Sequence, residues 1–238
     1  MPRRWSISPL SILPTNKVED CPLCGGRECN FFFERHDRQF GNRQYYRCPD
    51  CRLIFLDPAQ RLSPEEEKGR YDLHQNDPAD PGYRRFLRRL TDPLAERLRD
   101  GDAGLDYGCG PGPAVGRLLS EKRDVEVLEY DPFYFPRREL LERTYRFVVS
   151  TEVAEHFYYP AAEFERLAGL VDPDGILAVM TRVLKTEDGF ARWWYHREPT
   201  HVCFYQDETF AWIADKNGWE LERAGEDVVF FHIKRGNN

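Results

Sequence analysis

No run of apolar residues in this 238-residue chain approaches the roughly 20 that a membrane-spanning helix needs. A transmembrane segment is therefore not expected. A secretory leader is not expected either: Arg3 and Arg4 lie near the start, but Ser6, Ser8, Pro9, Ser11 and Pro14 interrupt the apolar residues of Met1 to Pro14. The cytoplasm is the expected compartment. No stretch is compositionally poor: 41% hydrophobic, 32% charged and 14% aromatic residues are enough to bury a core, which excludes a disordered spacer. An excess of positive charge is also lacking. There are 34 Lys+Arg against 41 Asp+Glu, a net charge of −7. The deficit lies in residues 101–238, at −9, whereas residues 1–58 carry +2 and 59–100 are neutral. Binding a polyanion requires clustered Lys and Arg, so a nucleic-acid partner is disfavoured there and a small substrate is not.

Seven cysteines are present, and in a reducing compartment they read as metal ligands or buried thiols rather than disulfides. Cys21-Pro22-Leu23-Cys24 and Cys48-Pro49-Asp50-Cys51 form two CxxC pairs. Each such turn can aim two thiolates at one point, and two turns at the ends of a hairpin complete a tetrahedral sulfur site for structural zinc. Phe31-Phe32-Phe33 and Tyr45-Tyr46 read as the hairpin strands, joined near Gly41-Asn42, so residues 1–58 resemble a zinc-ribbon module. Cys29 breaks the pair spacing and reads as spare. With all four positions taken by protein, the metal would stabilise the module and leave no place for substrate.

Residues 59–100 read as a helical connector. Ser63-Pro64-Glu65-Glu66-Glu67 supplies a cap, a proline at the first helical position and acids in the first turn. A basic helix from Tyr83 to Leu90 follows, and Thr91-Asp92-Pro93 is expected to stop it and start another. Arg84, Arg85, Arg88 and Arg89 form either an RNA-facing patch or, with as many acids nearby, a solvated helix face.

Ala103 to Tyr107 reads as a strand, Gly108-Cys109-Gly110-Pro111-Gly112-Pro113-Ala114 as a tight turn, and Val115 to Ser120 as a helix. Such a turn lets backbone approach a bound nucleotide. The glycines fall as GxGxG rather than GxGxxG, and no Lys-Ser/Thr follows them, which excludes a Walker loop. A second strand, Val125 to Tyr130, ends at Asp131, where a carboxylate can accept hydrogen bonds from the two hydroxyls of a ribose. Leu105 to Ala114 resembles motif I of the class I S-adenosylmethionine-dependent methyltransferases, and Tyr130-Asp131-Pro132 resembles their ribose-binding strand end. The ordered series continues with Phe147 to His156, Leu170 to Met180, Pro199-Thr200-His201-Val202, and a last hairpin of Trp219 to Ala224 with Val228 to Lys234. The resemblance implies an α/β fold over residues 101–238: a Rossmann-like, mostly parallel sheet with a C-terminal antiparallel hairpin, behind the zinc ribbon. It also implies S-adenosylmethionine as cofactor, bound by Asp106, Gly108, Gly110, Gly112, Asp131, Phe133 and Ser150. The segment from Asp131 to Phe147 is too short for the family's usual helix and third strand, so Phe133 or Tyr134 is expected to offer a stacking face in place of an acid on the adenine.

A zinc ribbon ahead of such a domain is similar to an arrangement in certain ribosomal RNA guanine methyltransferases and in some sugar C-methyltransferases, which act on different substrates. The acidic balance favours a small-molecule acceptor. Ser150-Thr151-Glu152 stands where enzymes acting on exocyclic base amines carry Asp/Asn-Pro-Pro-Tyr. An RNA acceptor, or a scaffold without catalysis, are the alternatives. A hydroxyl or protonated amine acceptor needs a general base. His201 is the first candidate, ahead of His196, Glu152 and His74, while His156 reads as a helix residue bonding locally. The rings from Phe190 to Phe204 are expected to wall an acceptor pocket, with two or three of them in the core. The helices around Tyr71 and His74 are expected to close it as a lid. Cys109 and Cys203 read as buried small residues.

Overall fold

The computed structural model describes residues 20–73 and 76–234. Met1 to Pro14 and His74, both used in the sequence reading, lie outside the described residues. Among the described residues, ten strands form two sheets, accompanied by five α-helices.

The cysteine hairpin is β1 (Asn30–Asp37) against β2 (Gly41–Arg47), followed by the short β3 (Ile54–Leu56). Helix α1 (Pro64–Tyr71) starts where its cap signals place it: Ser63 accepts from the backbone of Glu66, and the Glu66 carboxylate accepts from the backbone of Ser63. Helix α2 (Pro81–Ala95) does not stop at Pro93 as expected. Inside a helix, proline removes one backbone bond at a cost of about 3 kcal/mol. That cost is offset because Leu87, Leu90, Leu94 and Ala95 are buried in one cluster with Leu118, Leu119 and the sheet.

The main sheet is laid down by β4 (Ala103–Tyr107), α3 (Val115–Ser120), β5 (Glu126–Tyr130), β6 (Tyr145–Thr151), α4 (Pro160–Gly169) and β7 (Val171–Met180). β8 (Cys203–Phe204), α5 (Asp207–Asn217), β9 (Glu220–Arg223) and β10 (Val228–Ile233) complete the chain. Its strand order is β5-β4-β6-β7-β10-β9, parallel from β5 to β7 and antiparallel in the last hairpin. Between Asp131 and Tyr145 the chain makes only an Asp131–Phe135 bridge and a short 3-10 turn, Arg138–Glu142. The third strand is absent, and β5 forms the edge. Tyr145 pairs with Val171 and Phe147 with Ile176, so Asp172 to Gly175 bulges out of β7.

Side chains alternate across this sheet. Phe147, Val149, Ala178 and Phe230 pack on α2 and α3, whereas Val148, Leu177, Val179 and Phe231 join Phe164 of α4 and Phe210 of α5. The second core extends unbroken into the hairpin through Tyr45, Phe55, Phe190 and Phe204. The hairpin sheet itself has the order β1-β2-β3-β8, its last strand coming from the far end of the chain. Among the described residues, no helix is long and apolar enough to cross a membrane.

Candidate active site

A cavity of about 650 Å3 opens at the carboxyl ends of β4, β5 and β6, where ligands of open α/β sheets bind. That volume suits a ligand of cofactor size.

One end is built by the glycine turn. Gly108 and Gly110 take φ of 78° and 66°, a region costly for residues with a Cβ. A Cβ at Gly112 would fall on the Asn76 carbonyl oxygen, so that glycine answers to the chain's own packing. The Gly110 amide donates to Asp131 Oδ2 at 3.0 Å, and the amides of Phe133 and Tyr134 donate to Oδ1 at 2.8 and 3.0 Å. Asp131 thus fastens the turn to the loop after β5 and still lines the cavity beside Phe133 and Tyr134. Tyr71 of α1 packs on Phe133, ring centroids 5.8 Å apart, and α2 adds Tyr83 and Phe86 as a roof. Asp106, Gly112 and Ser150 stand behind the lining rather than in it. Among the described residues, the Ser150 hydroxyl and Asp106 Oδ1 are buried without a hydrogen-bond partner. Ser150 lies in β6, fully buried.

Burial, with Glu129 and Asp131 close by, pushes the Asp106 carboxyl up to about 8. The folded protein therefore keeps this proton where the unfolded chain has lost it. Stability from this group is full below pH 4 and falls by up to about 1.4 kcal/mol per pH unit between pH 4 and 8. Asp106→Asn should accordingly raise the melting temperature of the ligand-free protein at pH 8 and leave it unchanged at pH 4. Equal effects at the two pH values would contradict this account.

The other end is built by the turn after β6 and by the chain from Phe190 to Phe204. Glu152 is held at φ 53°, a strained value for a glutamate, by its amide bond to the Met180 carbonyl at 2.7 Å. Burial and the neighbouring Glu155 push its carboxyl well above the ordinary carboxylate value. Glu155 is fully buried, accepting from the Tyr195 hydroxyl at 2.5 Å and from Thr181 at 2.8 Å. His201 Nδ1 lies 2.7 Å from the Tyr195 carbonyl and His156 Nδ1 lies 3.1 Å from that of Thr200. The two imidazoles meet edge to face with centroids 4.8 Å apart, and both line the cavity. His156 thus sits on a 3-10 turn, Ala154–His156, and reaches across the chain instead of bonding locally. Arg70 of α1 clasps Glu198 through two bonds of 3.1 and 3.0 Å, tying the roof to this loop.

His196 is set apart from these groups. It stacks on Phe190 at 4.8 Å and edges onto Phe33 and Tyr45, outside the cavity lining. Burial pushes its pKa down to about 4. Phe190 and Phe204 share that core, while Trp194 and Tyr195 reach the cavity. Sequence reasoning set aside His156 and did not single out Glu155, while Tyr195 belongs to the rings expected to wall the pocket. The signal available was the Glu155-His156 pair just beyond a strand end.

The four paired cysteines lie apart from this cavity. The Sγ atoms of Cys21, Cys24, Cys48 and Cys51 are all within 4.8 Å of one another, with Cys21–Cys51 at 3.5 Å and Cys24–Cys48 at 3.3 Å. Cys29 instead faces the Gly26 carbonyl at 3.6 Å.

The profile of the family described as "Methyltransferase domain" matches residues 80–224, more than half of the chain. The chain belongs to that family. The match takes in the roof helix, the glycine turn, Asp131, the Glu155-His156 turn and the loop carrying His201. Among solved structures the chain is similar to an O-methyltransferase family protein from Burkholderia thailandensis. That match has 16% identity over 72% of this chain and 64% of the other, with a TM-score of 0.46. It is also similar to magnesium protoporphyrin IX methyltransferase from Synechocystis PCC 6803 with bound SAH, at 13% identity over 70% and 92% of the two chains and a TM-score of 0.44. The chain thus spans less than two thirds of the length of the Burkholderia protein. No curated protein matches it.

Proposed function

We propose that the chain transfers the methyl group of S-adenosylmethionine to a small or medium-sized acceptor whose nucleophile is a hydroxyl or amine. One observation carries this reading: a single cavity joins the glycine turn and Asp131 at one end to Glu155, His156 and His201 at the other. The donor set at the first end fits the cofactor. Gly108 and Gly110 leave backbone exposed, Asp131 lines the wall, and Phe133 and Tyr134 offer rings in place of the missing third strand. The bound cofactor supplies a methyl group already activated on a sulfonium. The remaining task is to align the acceptor and take its proton. His201 suits the second part: with Nδ1 as donor to the Tyr195 carbonyl, Nε2 is the basic nitrogen, 4.0 Å from the Glu155 carboxylate that would stabilise the imidazolium. Tyr71 and Trp194 line this end, and the Arg70–Glu198 clasp holds the roof over it, where they would shield the acceptor from water.

The four thiols are proposed to hold one structural zinc ion. In a tetrahedral site with Zn–S bonds of about 2.3 Å, sulfurs stand about 3.8 Å apart, close to the spacings found. An RNA acceptor draws less support. Arg84 and Arg88 are paired with Glu121 and Arg89 with Asp227, so three of the four arginines of this face already have acid partners within the chain.

Cofactor binding is the test. S-adenosylhomocysteine should raise the melting temperature of the protein by mass action. Asp131→Ala, which removes the ribose acceptor and the anchor of the turn, should weaken binding about 30- to 150-fold, the equivalent of two charge-assisted hydrogen bonds. Absence of any thermal shift in the unsubstituted protein would overturn the cofactor assignment.

A further inference from the structure

Two histidines and a carboxylate meet at the acceptor end of the cavity with an arrangement that a base alone does not require. Glu155, His156 and His201 each offer one ligand atom, and the three atoms lie within 4.8 Å of one another. His156 Nε2 is 3.9 Å and His201 Nε2 is 4.0 Å from the same oxygen, Glu155 Oε1. A nitrogen facing a carbonyl must carry the proton, so the carbonyls of Thr200 and Tyr195 fix both rings as Nδ1–H tautomers. That leaves the lone pair of each ring on Nε2, the atom turned toward Glu155. The carboxylate is oriented in its turn by Tyr195 and Thr181. Ligand atoms whose far sides are pinned by backbone carbonyls and hydroxyls are the outer-shell pattern of metal sites.

Charge points the same way. Glu155 has 0% exposure, and among the described residues it pairs with these two histidines, while the hydroxyls of Tyr195 and Thr181 donate to it. A carboxylate buried with neutral donors carries a desolvation cost of several kcal/mol, which a cation beside Oε1 would offset.

We propose that Glu155, His156 and His201 bind one divalent transition-metal ion, and that this ion holds the oxygen of the methyl acceptor. Two imidazoles and one carboxylate suit Mn2+, Fe2+, Co2+ or Zn2+ and leave positions open for an acceptor hydroxyl. Metal–ligand bonds of about 2.1 Å need neighbouring ligand atoms about 3 Å apart, so the three groups close by about 1 Å on binding. The inference rests on the methyl-transfer reading and changes one step of it. An ion-bound hydroxyl loses its proton to water near neutral pH. The resulting oxygen lone pair forms the new bond to the methyl carbon, and the sulfur keeps the electron pair of the bond that breaks. His201 then serves as ligand rather than base. The acceptor class is accordingly a hydroxyl compound, enclosed by Tyr71, Trp194 and Tyr195.

The experiment titrates Mn2+ into the full chain with its cysteine site already loaded with zinc, reading bound metal by electron paramagnetic resonance. One Mn2+ per chain is expected. Binding should weaken at least 10-fold in both Glu155→Gln and His156→Gln, while the response to S-adenosylhomocysteine persists as the check that each variant is folded. In the unsubstituted protein, Mn2+ should broaden the imidazole proton signals of two histidines, a readout that needs no variant. No binding at millimolar Mn2+, or binding that leaves the imidazole signals sharp, overturns the metal site. If S-adenosylhomocysteine still binds in that case, the methyl-transfer reading stands with His201 as base. If Mn2+ binds and S-adenosylhomocysteine does not, the cofactor reading fails and the metal site survives.

Discussion

Cys48→Ser should lose its zinc and unfold the hairpin. The reason is the size of the contribution: a structural zinc site is worth about 10–16 kcal/mol, as much as the whole stability of a typical domain. Cys48 is fully buried, with its sulfur against that of Cys24. A serine there leaves a three-thiol site and an unpaired hydroxyl in the core. The damage should not stay local, because the hairpin anchors the acceptor loop. Tyr45 donates to the His196 carbonyl at 3.1 Å, Arg43 donates to the Pro199 carbonyl at 2.8 Å, and Glu187 pairs with Arg47 and Arg52. Turnover should therefore collapse, whereas S-adenosylhomocysteine, proposed to sit at the opposite end of the cavity, should bind with a smaller loss. Elemental analysis and thermal unfolding check this: one zinc per unsubstituted chain, none in the variant, and a lower, broader transition. Full zinc retention in Cys48→Ser would refute the site.

His201→Asn should lower turnover about 10²-fold or more without changing cofactor affinity. Asparagine can still bond the Tyr195 carbonyl but offers no basic nitrogen toward Glu155. His196→Asn makes the contrast. That ring is stacked on Phe190 and held neutral near pKa 4, so its loss should cost stability and leave the pH profile of turnover where it was. If His196→Asn shifted the profile and His201→Asn did not, the acceptor end would have to be reassigned.

Much of this organisation could be read from local chemistry. Ser63, Pro64 and Glu66 placed the start of α1 because a capping box involves only neighbours in sequence. The glycine turn and Asp131 were legible because a strand, a tight turn and a helix leave their own composition. The count of residues after Asp131 disclosed the missing strand. What escaped depended on distant partners. Pro93 signals a helix end, and only the burial of Leu90 and Leu94 against α3 overrides it. His156 looked local because nothing in its neighbourhood announces the Thr200 carbonyl. Ser150, buried in β6, and His196, stacked on Phe190, do not line the cavity, a matter of packing that their sequence neighbours do not announce.

The pairing of β3 with β8 also orders events during synthesis. Ile54 and Phe55 leave the ribosome before their partners, Phe204 and Cys203, exist. About 150 residues separate the two strands, or roughly ten to thirty seconds of translation. Through that interval the nascent hairpin exposes an unpaired apolar edge, the kind that joins other chains. Metal captured early would hold the hairpin closed without covering that edge. Slow translation or zinc starvation should therefore appear first as aggregation of new chains, while molecules already finished keep working.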